Sequence, residues 1–556
     1  MKKMMMLVVG LLVVGSVLGQ GVVGGKSVGS GVSGVSVGRE DLGERGVSGG
    51  SVWGRGAGEE VGVPSGAVME WFDSLMEIGG TEVHSAMVVR HGRVVGEMYA
   101  RPFSGEYGHT LFSCSKTVAA LAVGIAVDEG RMGVEDRVVG YFPEIVGERD
   151  SVGNFLEIGG KDEGEGEMGV RDSVGEWLGE MRVEDLLTMR SGMAVDWGMR
   201  ERETEWVRRL LEGRMVARPG ELFAYDSMNT YLLSAIVGRA TGEKMMDYLR
   251  ERLFGPLGIE EAVWEESPEG VTCGGWGLYL RTESLAKIGQ LMLNGGVWDG
   301  RRIVSEGWIG EMMRVHVERE GYGYQMWRCE REGVMRGDGA HGQFMIVMPG
   351  EDMVVVITQC CNALEPGVRE RRLLFERLVP ALSDSAIEDR GMAEKLRMRE
   401  REYALPMAEG RETGAGEMGM MGRRMRLGEN KLGWREMRVW QEGGELMVGV
   451  ETERGERATM RCGNGEWREA KVGTHFPPNS RGGVKGAFSN FEKPFTAWGS
   501  YGWRGEGRLG VKVVFADWMS SMEMEVDMGE GRPRVEVRLN IDTKPFMIET
   551  SYVDEE

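Results

Sequence analysis

The sequence predicts a mixed α/β protein, in which an antiparallel sheet flanked by helices is followed by a separate C-terminal antiparallel β domain. Residues 66–382 begin and end with β-rich runs and are mostly helical in between, so early and late strands are expected to meet in one sheet. Beyond residue 430 the apolar period changes to two, as in 534–541, where Val535 and Val537 alternate with charged residues. A chain of 556 residues is long enough for two or three domains.

The N-terminal segment has the three parts of a secretory signal. Lys2 and Lys3 precede an apolar stretch, and small residues stand before a plausible cleavage point at Gln20. The apolar stretch is shorter than the ~20 residues that a membrane span needs, which favours a cleaved signal peptide (1–19) over an anchor helix. We therefore expect a periplasmic or extracellular protein with no stable membrane span after signal cleavage.

Residues 20–63 are rich in Gly, Ser and Val and predict a flexible linker. Three matches to the GxSxG pattern fall inside it, but a nucleophile elbow needs a strand before the serine and a helix after it, and neither is present there. We attribute these matches to the high Gly, Ser and Val content of the segment and not to a nucleophile elbow.

A first folded domain is expected at 64–382. An amphipathic helix is predicted over 66–79, a hairpin around residues 90–92, and a largely buried helix over 114–129. Strands return near residue 322, and a helix over 367–382 ends the domain. Residues 383–430 then predict a helical, Gly-rich connector, and 431–556 predict a β-barrel or sandwich domain.

Composition excludes several classes of function. The net charge of −21 argues against a nucleic-acid partner, because phosphate binding needs concentrated Lys and Arg. Six cysteines show no CxxC or metal-ligand spacing, although one or two disulfides remain open, and six histidines are scattered. The sequence supports neither a metal site nor a cofactor, and it leaves the oligomeric state open.

The strongest chemical signal is the segment LFSCSKT, which places Ser113 three residues before Lys116 at the start of the buried helix. Residues three apart share a helix face, so the lysine amine is expected to reach the serine oxygen. Apolar surroundings lower the pKa of a lysine, and a neutral amine can accept the serine proton. Ser113 is therefore the expected nucleophile and Lys116 its base.

Rival nucleophiles are present. Ser284 and Lys287 match the same SxxK pattern, but they lie in an ordinary amphipathic helix and are interpreted as structural. Cys114 and Ser115 follow Ser113 directly, and helical spacing turns both away from Lys116.

Two further segments contain polar groups suited to an active site. Tyr225 and Ser227 stand two residues apart just before a predicted helix, where a phenol can relay protons and a hydroxyl can bind the lysine; a buried aromatic beside a helix cap is the alternative. In 336–350, small residues including Gly339 open a strand that a substrate can approach, unless they only form a tight turn. The N–H of Ala340 can join that of Ser113 in an oxyanion hole, and His341 is a candidate substrate-facing residue.

At these segments the chain resembles the serine β-lactamase and penicillin-binding-protein-like superfamily, in its branch related to class C β-lactamases. LFSCSKT matches the SxxK motif, YDS the YxN or YxS motif, and GDGAHGQFMIVMP the strand that carries KTG; segments such as AVDEGRMGVEDRVVGYFPE and RVEDLLTMRSGM are similar too. The resemblance covers about residues 66–382 and implies an α/β (α+β) sandwich beside an all-α subdomain, with the cleft between them. It implies the roles given above for Ser113, Lys116, Tyr225, Ser227 and Ala340.

The chain departs from the family where KTG stands, because Gly337, Asp338 and Gly339 occupy those positions. The family's Lys and Thr hold a substrate carboxylate, whereas an aspartate is expected to repel one. The sequence therefore predicts a secreted serine hydrolase acting on a small-molecule or peptide ester or amide that is neutral or cationic. A DD-peptidase or β-lactamase activity, or a catalytically silent sensor or binding protein, are the alternatives.

The C-terminal domain shows no defined site. Trp498, Trp503 and Trp518 are candidates for a carbohydrate platform, but aromatic residues of a β domain more often fill its core.

Overall fold

The computed structural model describes residues 53–146, 177–195, 204–362, 367–473, 494–529 and 531–553. The expected signal peptide, residues 20–52 of the expected linker, and the acidic segment 159–169 lie outside these ranges. Within them, no helix combines the length and apolarity needed to cross a membrane.

In the first domain, strands near both ends enclose a mostly helical middle, and strands dominate the second domain. In chain order the strands are β1 (Gly54–Arg55), β2 (Thr81–Arg90), β3 (Arg93–Tyr99), β4 (His109–Thr110), β5 (Val263–Trp264), β6 (Leu278–Leu280), β7 (Val297–Trp298), β8 (Arg301–Arg302), β9 (Trp327–Arg328), β10 (Met335–Gly339), β11 (Gln343–Met348), β12 (Met353–Cys361), β13 (Arg424–Leu427), β14 (Trp434–Glu442), β15 (Glu445–Thr452), β16 (Arg457–Asn464), β17 (Arg468–Val472), β18 (Phe495–Gly505), β19 (Arg508–Phe515), β20 (Ser521–Asp527), β21 (Arg534–Leu539), β22 (Phe546–Ile548) and β23 (Thr550–Tyr552).

The helices are α1 (Ser65–Met76), α2 (Ser115–Asp128), α3 (Pro143–Val146), α4 (Val183–Leu187), α5 (Trp206–Leu211), α6 (Ser227–Thr241), α7 (Met245–Leu249), α8 (Thr282–Leu293), α9 (Glu306–Met313), α10 (Val368–Leu373), α11 (Arg390–Glu400) and α12 (Ala415–Met418). A 3-10 turn at Phe112–Cys114 leads into α2, and a π turn at Leu374–Leu378 continues α10.

Early and late strands meet in one sheet, as the sequence predicts. The strand order is β1-β3-β2-β12-β11-β10-β9, and β2 pairs antiparallel with β12 although some 270 residues separate them. Every pairing in this sheet is antiparallel except that of β1 with β3. The central strands are buried along almost their whole length, because helices cover both faces.

Two helices show how closely the sheet is covered. On one face α1 buries Val68, Trp71 and Phe72, and a Cβ at Gly96 of β3 would stand 2.6 Å from the Val68 side chain. On the other face a Cβ at Gly289 of α8 would stand 2.6 Å from Val354 of β12. Glycine at these two positions lets helix and sheet approach to this distance.

The last residues of the expected linker are packed against the first domain. Residues 53–63 were expected to end the flexible linker, but β1 pairs with β3, and Trp53 donates a hydrogen bond to Glu283 at 2.7 Å. The Trp53 side chain and the short parallel pairing of β1 with β3 attach this segment to the domain. The Gly-rich composition of the segment gave no indication of either contact.

The C-terminal domain is one nearly closed, 11-stranded β-sheet, which we call the barrel. Its strand order is β22-β21-β20-β19-β18-β16-β15-β14-β13-β23, and β22 and β23 are separated by Glu549 alone, so adjacent segments of the chain occupy both ends of the sheet. The pairings are antiparallel except for that of β16 with β18. The boundary expected at residue 431 is therefore too late, since β13 already belongs to the barrel. Trp503 and Trp518 are buried and form no exposed platform.

The two domains are joined by a polar contact centred on Glu82 of β2. Its carboxylate accepts hydrogen bonds from Lys512 and Asn540, each at 2.9 Å, and from Ser521 of the barrel. The Lys512 side chain is only 4% exposed, so the ion pair is largely shielded from water.

Each of the six cysteines lies in the described ranges and is buried, and no disulfide joins any two of them. The disulfides that the sequence left open are therefore not formed.

Candidate active site

The candidate nucleophile lies in the 3-10 turn that opens α2. Ser113 is partly buried there, and Cys114 N donates to Leu111 O at 3.0 Å to close the turn. Phe112, the residue before Ser113, adopts a φ of +46°, which a non-glycine residue rarely does. The turn thus presents Ser113 at the N-terminal end of a 14-residue helix.

Lys116 is directed at Ser113, as the spacing predicts. Its Nζ lies 3.0 Å from Ser113 Oγ, 2.9 Å from Ser227 Oγ and 2.7 Å from the carbonyl oxygen of Gly275. The side chain is 1% exposed, among the largest fully buried side chains described. Three oxygen atoms therefore fix an amine inside the protein within hydrogen-bond distance of a serine hydroxyl.

Tyr225 closes the cluster on the other side. Lys116 Nζ lies 4.9 Å from the centre of the Tyr225 ring. Burial raises the pKa of Tyr225 above its usual value, the hydrogen bond with Ser113 opposes this, and the nearby Asp338 carboxylate adds to it. The phenol is therefore protonated at neutral pH.

Ser227 is held at the first position of α6. Asp226 is the N-cap of that helix, and its carboxylate accepts from Met228 N at 3.0 Å. Capping by Asp226 starts the helix at Ser227 and turns the Ser227 hydroxyl toward Lys116. The YDS segment thus supplies a phenol, a cap and a hydroxyl in three consecutive residues.

Strand β10 packs against the turn that carries Ser113. The expectation that its small residues leave room for a substrate is therefore wrong. A Cβ at Gly337 would stand 2.8 Å from Cys114 Sγ and 2.9 Å from Thr117 Oγ1, while one at Gly339 would stand 2.3 Å from Leu111 O. The space beside these glycines is filled by α2 and its turn and is not left for a substrate. A lysine at 337 would have no room.

Asp338 is paired with an arginine. Arg336 Nε donates to its carboxylate at 2.8 Å, and the side chains of Arg336 and Asp338 are 12% and 24% exposed. The repulsion of anionic substrates expected from Asp338 is therefore opposed by an adjacent positive charge. Residues two apart in a strand share a face, which is why the two side chains meet.

Ala340 and His341 lie in the turn that follows β10. Ala340 is exposed, and its N–H remains a predicted oxyanion donor. His341 has a φ of +63°, its Nδ1 lies 3.1 Å from Cys361 O, and its ring centre is 5.4 Å from that of Phe112. Burial lowers the pKa of His341, so the ring is neutral at pH 7. The ring supports the nucleophile turn from one side.

The rival nucleophiles lie elsewhere. Ser284 Oγ donates to Glu261, and Lys287 Nζ donates to Leu257 O at 3.2 Å, so this second SxxK pair does not interact. Cys114 is buried against β10, and burial raises the pKa of its thiol. Ser115 Oγ accepts from Leu278 N at 3.2 Å.

Sequence reasoning missed two contributions. Gly275, in the run CGGWG, supplies the shortest contact to Lys116, and a Cβ there would stand 2.6 Å from Ser227 O. Tyr322 and Trp327 pack against Tyr225, at 6.1 and 5.2 Å between ring centres, and Phe223 packs against both of them. In the sequence, clustered glycines mark the segment of Gly275 and the run GYGYQMW marks the aromatic residues. Neither pattern indicates which residues the segment packs against.

Among the described residues, no group of three or more His, Cys, Asp and Glu side chains is arranged to hold a metal ion. The polar groups gathered at Ser113 are two hydroxyls, an amine and a phenol.

A helix-covered antiparallel sheet with this serine and lysine at the head of a buried helix defines the class of β-lactamase-like serine hydrolases. The chain belongs to the beta-lactamase family, whose model, described as Beta-lactamase, matches residues 68–378. The 6-aminohexanoate-dimer hydrolase of Paenarthrobacter ureafaciens is 30% identical over a 292-residue alignment that covers 49% of this chain and 70% of that relative.

Two solved structures are also similar to this chain. A penicillin-binding protein homolog from Caulobacter crescentus is 19% identical, covers 56% of this chain and 95% of its own, and has a TM-score of 0.43. A beta-lactamase from Mycobacterium bovis is 17% identical, covers 56% of this chain and 100% of its own, and has a TM-score of 0.39.

Proposed function

We propose that the protein is a secreted serine hydrolase that cleaves an ester or amide through an acyl-enzyme on Ser113. The observation that carries the proposal is the 3.0 Å contact between Lys116 Nζ and Ser113 Oγ inside a buried cluster. The basic and apolar N-terminal segment supports the proposed secretion to the periplasm or the extracellular space.

In the proposed first step Lys116 takes the proton of Ser113 as its oxygen attacks the substrate carbonyl. Burial disfavours the charged form of an amine, so the lone pair faces the serine while N–H groups donate to Gly275 O and Ser227 Oγ. The N–H groups of Ser113 and Ala340 stabilise the oxyanion.

Tyr225 passes the proton to the leaving group. Its raised pKa keeps the phenol protonated, so it serves as a proton donor and relay and not as a phenolate base. Water then attacks the acyl-enzyme by the reverse proton path and releases the acid.

The substrate is proposed to be a small-molecule or peptide ester or amide. The curated relative is named for the hydrolysis of the 6-aminohexanoate dimer, which keeps amides among the substrates considered. Gly337 stands where the family has the KTG lysine, so no side chain at that position can hold a substrate carboxylate, and neutral or cationic substrates are favoured over β-lactams.

A fluorophosphonate probe tests the proposal. We expect the full-length mature protein to be labelled and the label to be lost in Ser113→Ala. The label should be retained in Ser284→Ala, the control, because Ser284 belongs to the second SxxK match, in which the serine and the lysine do not interact. Hydrolysis of p-nitrophenyl esters should follow the same pattern. Failure of the wild-type protein to react, or retention of the label in Ser113→Ala, would contradict the proposal.

A further inference from the structure

A loop of the C-terminal barrel reaches the nucleophile turn. Between β19 and β20, Trp518 lies with its ring centre 6.1 Å from that of Phe112, the residue before Ser113. The same ring stacks on Tyr279 of β6 at 5.6 Å, with an interplanar angle of 28°. Trp518 is 3% exposed, so it contacts the catalytic domain as a buried side chain.

Phe112 needs support from its surroundings. Its φ of +46° lies in the left-handed region, which a non-glycine residue keeps only where neighbouring groups hold it. His341 lies on one side of the Phe112 ring, at 5.4 Å between ring centres, and Trp518 supplies a second contact. One of these two aromatic contacts comes from the catalytic domain and the other from the barrel.

The loop that carries Trp518 is itself fixed. The Asp517 carboxylate accepts from Thr496 N at 2.8 Å and from Thr496 Oγ1 at 2.9 Å. Asn540 Nδ2 donates both to Met519 O at 3.0 Å and to Glu82 of the catalytic domain at 2.9 Å. These bonds anchor the loop to the barrel and to the first domain, so the position of Trp518 is set from both sides.

We propose that Trp518 is a positioning residue for catalysis, through which the barrel holds Phe112 in its left-handed conformation. Phe112 fixes where the Ser113 N–H and Oγ point, and so the alignment of Ser113 with Lys116. The inference rests on the proposed serine-hydrolase function and adds to it that both domains form one catalytic unit.

The test compares Trp518 with a second barrel tryptophan in the full-length mature protein. Trp518→Ala should lower kcat on a p-nitrophenyl ester, and the fluorophosphonate labelling rate, by about 10- to 100-fold with KM little changed, as expected for a displaced nucleophile. Trp518→Phe should restore most of the activity. Trp503→Ala removes a buried barrel tryptophan that donates to Thr413 and has no described ring contact with Phe112, so it should leave kcat within about twofold.

A second variant guards against misfolding. Trp518→Leu keeps an apolar side chain in the loop but removes the ring contacts, so it should fold and show the same fall in kcat. Equal labelling rates in wild type, Trp518→Ala and Trp518→Leu would overturn the inference while leaving the proposed function intact. A wild-type protein that does not label at all would overturn the proposed function and this inference with it.

Discussion

The carbonyl oxygen of Gly275 accepts a hydrogen bond from Lys116 at 2.7 Å, the shortest contact that positions the candidate base. Gly275 is also in close contact with Ser227, whose own hydroxyl lies 2.9 Å from the same amine. The lysine is therefore oriented by a loop and a helix terminus that are distant from it in sequence, and its alignment depends on how closely they pack.

A methyl group at position 275 should disturb that alignment. In Gly275→Ala the added Cβ would stand 2.6 Å from Ser227 O and 2.9 Å from Ser227 Cβ, so the backbone must shift and carry its carbonyl away from Lys116. We expect kcat on a p-nitrophenyl ester to fall by about 10- to 100-fold. Gly310→Ala, in α9 with nothing within 4 Å of the new Cβ, is the matched control and should keep full activity.

The glycines of β10 should be intolerant of side chains. Gly337→Ala places a Cβ 2.8 Å from Cys114 Sγ, and we expect unfolding free energy to fall by about 1–3 kcal/mol, measured by urea denaturation. Because the sulfur is one of the two atoms approached, adding Cys114→Ala should recover part of the loss. Strict additivity of the two substitutions would contradict the packing described for this strand.

Asp338 should decide how the cleft treats charged substrates. Asp338→Asn removes the partner of Arg336 and leaves its positive charge uncompensated, so kcat/KM for a carboxylate-bearing ester should rise relative to that for a neutral ester. The double variant Arg336→Met with Asp338→Asn removes both charges and should bring the ratio back toward wild type. An unchanged ratio in Asp338→Asn would show that the substrate does not approach this pair.

The stability of the catalytic domain should depend on Glu400 of α11. Burial, with the nearby Glu97 carboxylate, raises the pKa of Glu400 to about 7, although the Glu97 N–H acts in the opposite direction. The unfolded chain loses this proton near pH 4.5 and the folded one near pH 7, so the contribution of Glu400 to stability is greatest below pH 4.5 and declines as pH rises to about 7. After allowance for partial exposure, the decline is about 1–2 kcal/mol.

The matching substitution is Glu400→Gln, which keeps the hydrogen bond from Glu97 N and cannot ionise. We expect it to raise the melting temperature at pH 8 more than at pH 5. Glu394→Gln, an exposed substitution on the same helix, should change neither value. A gain that is equal at both pH values would contradict the shifted pKa.

Local patterns were sufficient to predict much of the site. Ser113 and Lys116 are one helical turn apart, and Tyr225 and Ser227 flank an N-cap aspartate, so their spacing alone predicted that they could be brought together. The apolar period of α1 likewise predicted its buried face, and only its end was placed too late, because Ile78 is buried beyond the helix terminus.

What the sequence could not predict is contact between distant segments. The pairing of Arg336 with Asp338 was available from strand alternation but was not used. By contrast, Gly275 and Trp518 approach residues 112–116 from positions far along the chain, and only the packing of helices, sheet and barrel determines those distances. The same holds for β1, whose two residues join the sheet through a single pairing.

The most direct measurement of the central claim is to quench the reaction of the full-length mature protein with p-nitrophenyl acetate and to map the acyl group by peptide mass spectrometry. We expect one acetyl group on Ser113, its loss in Ser113→Ala, and slow formation of the adduct in Lys116→Ala. An acetyl group on any other residue, or undiminished turnover in Ser113→Ala, would contradict the account.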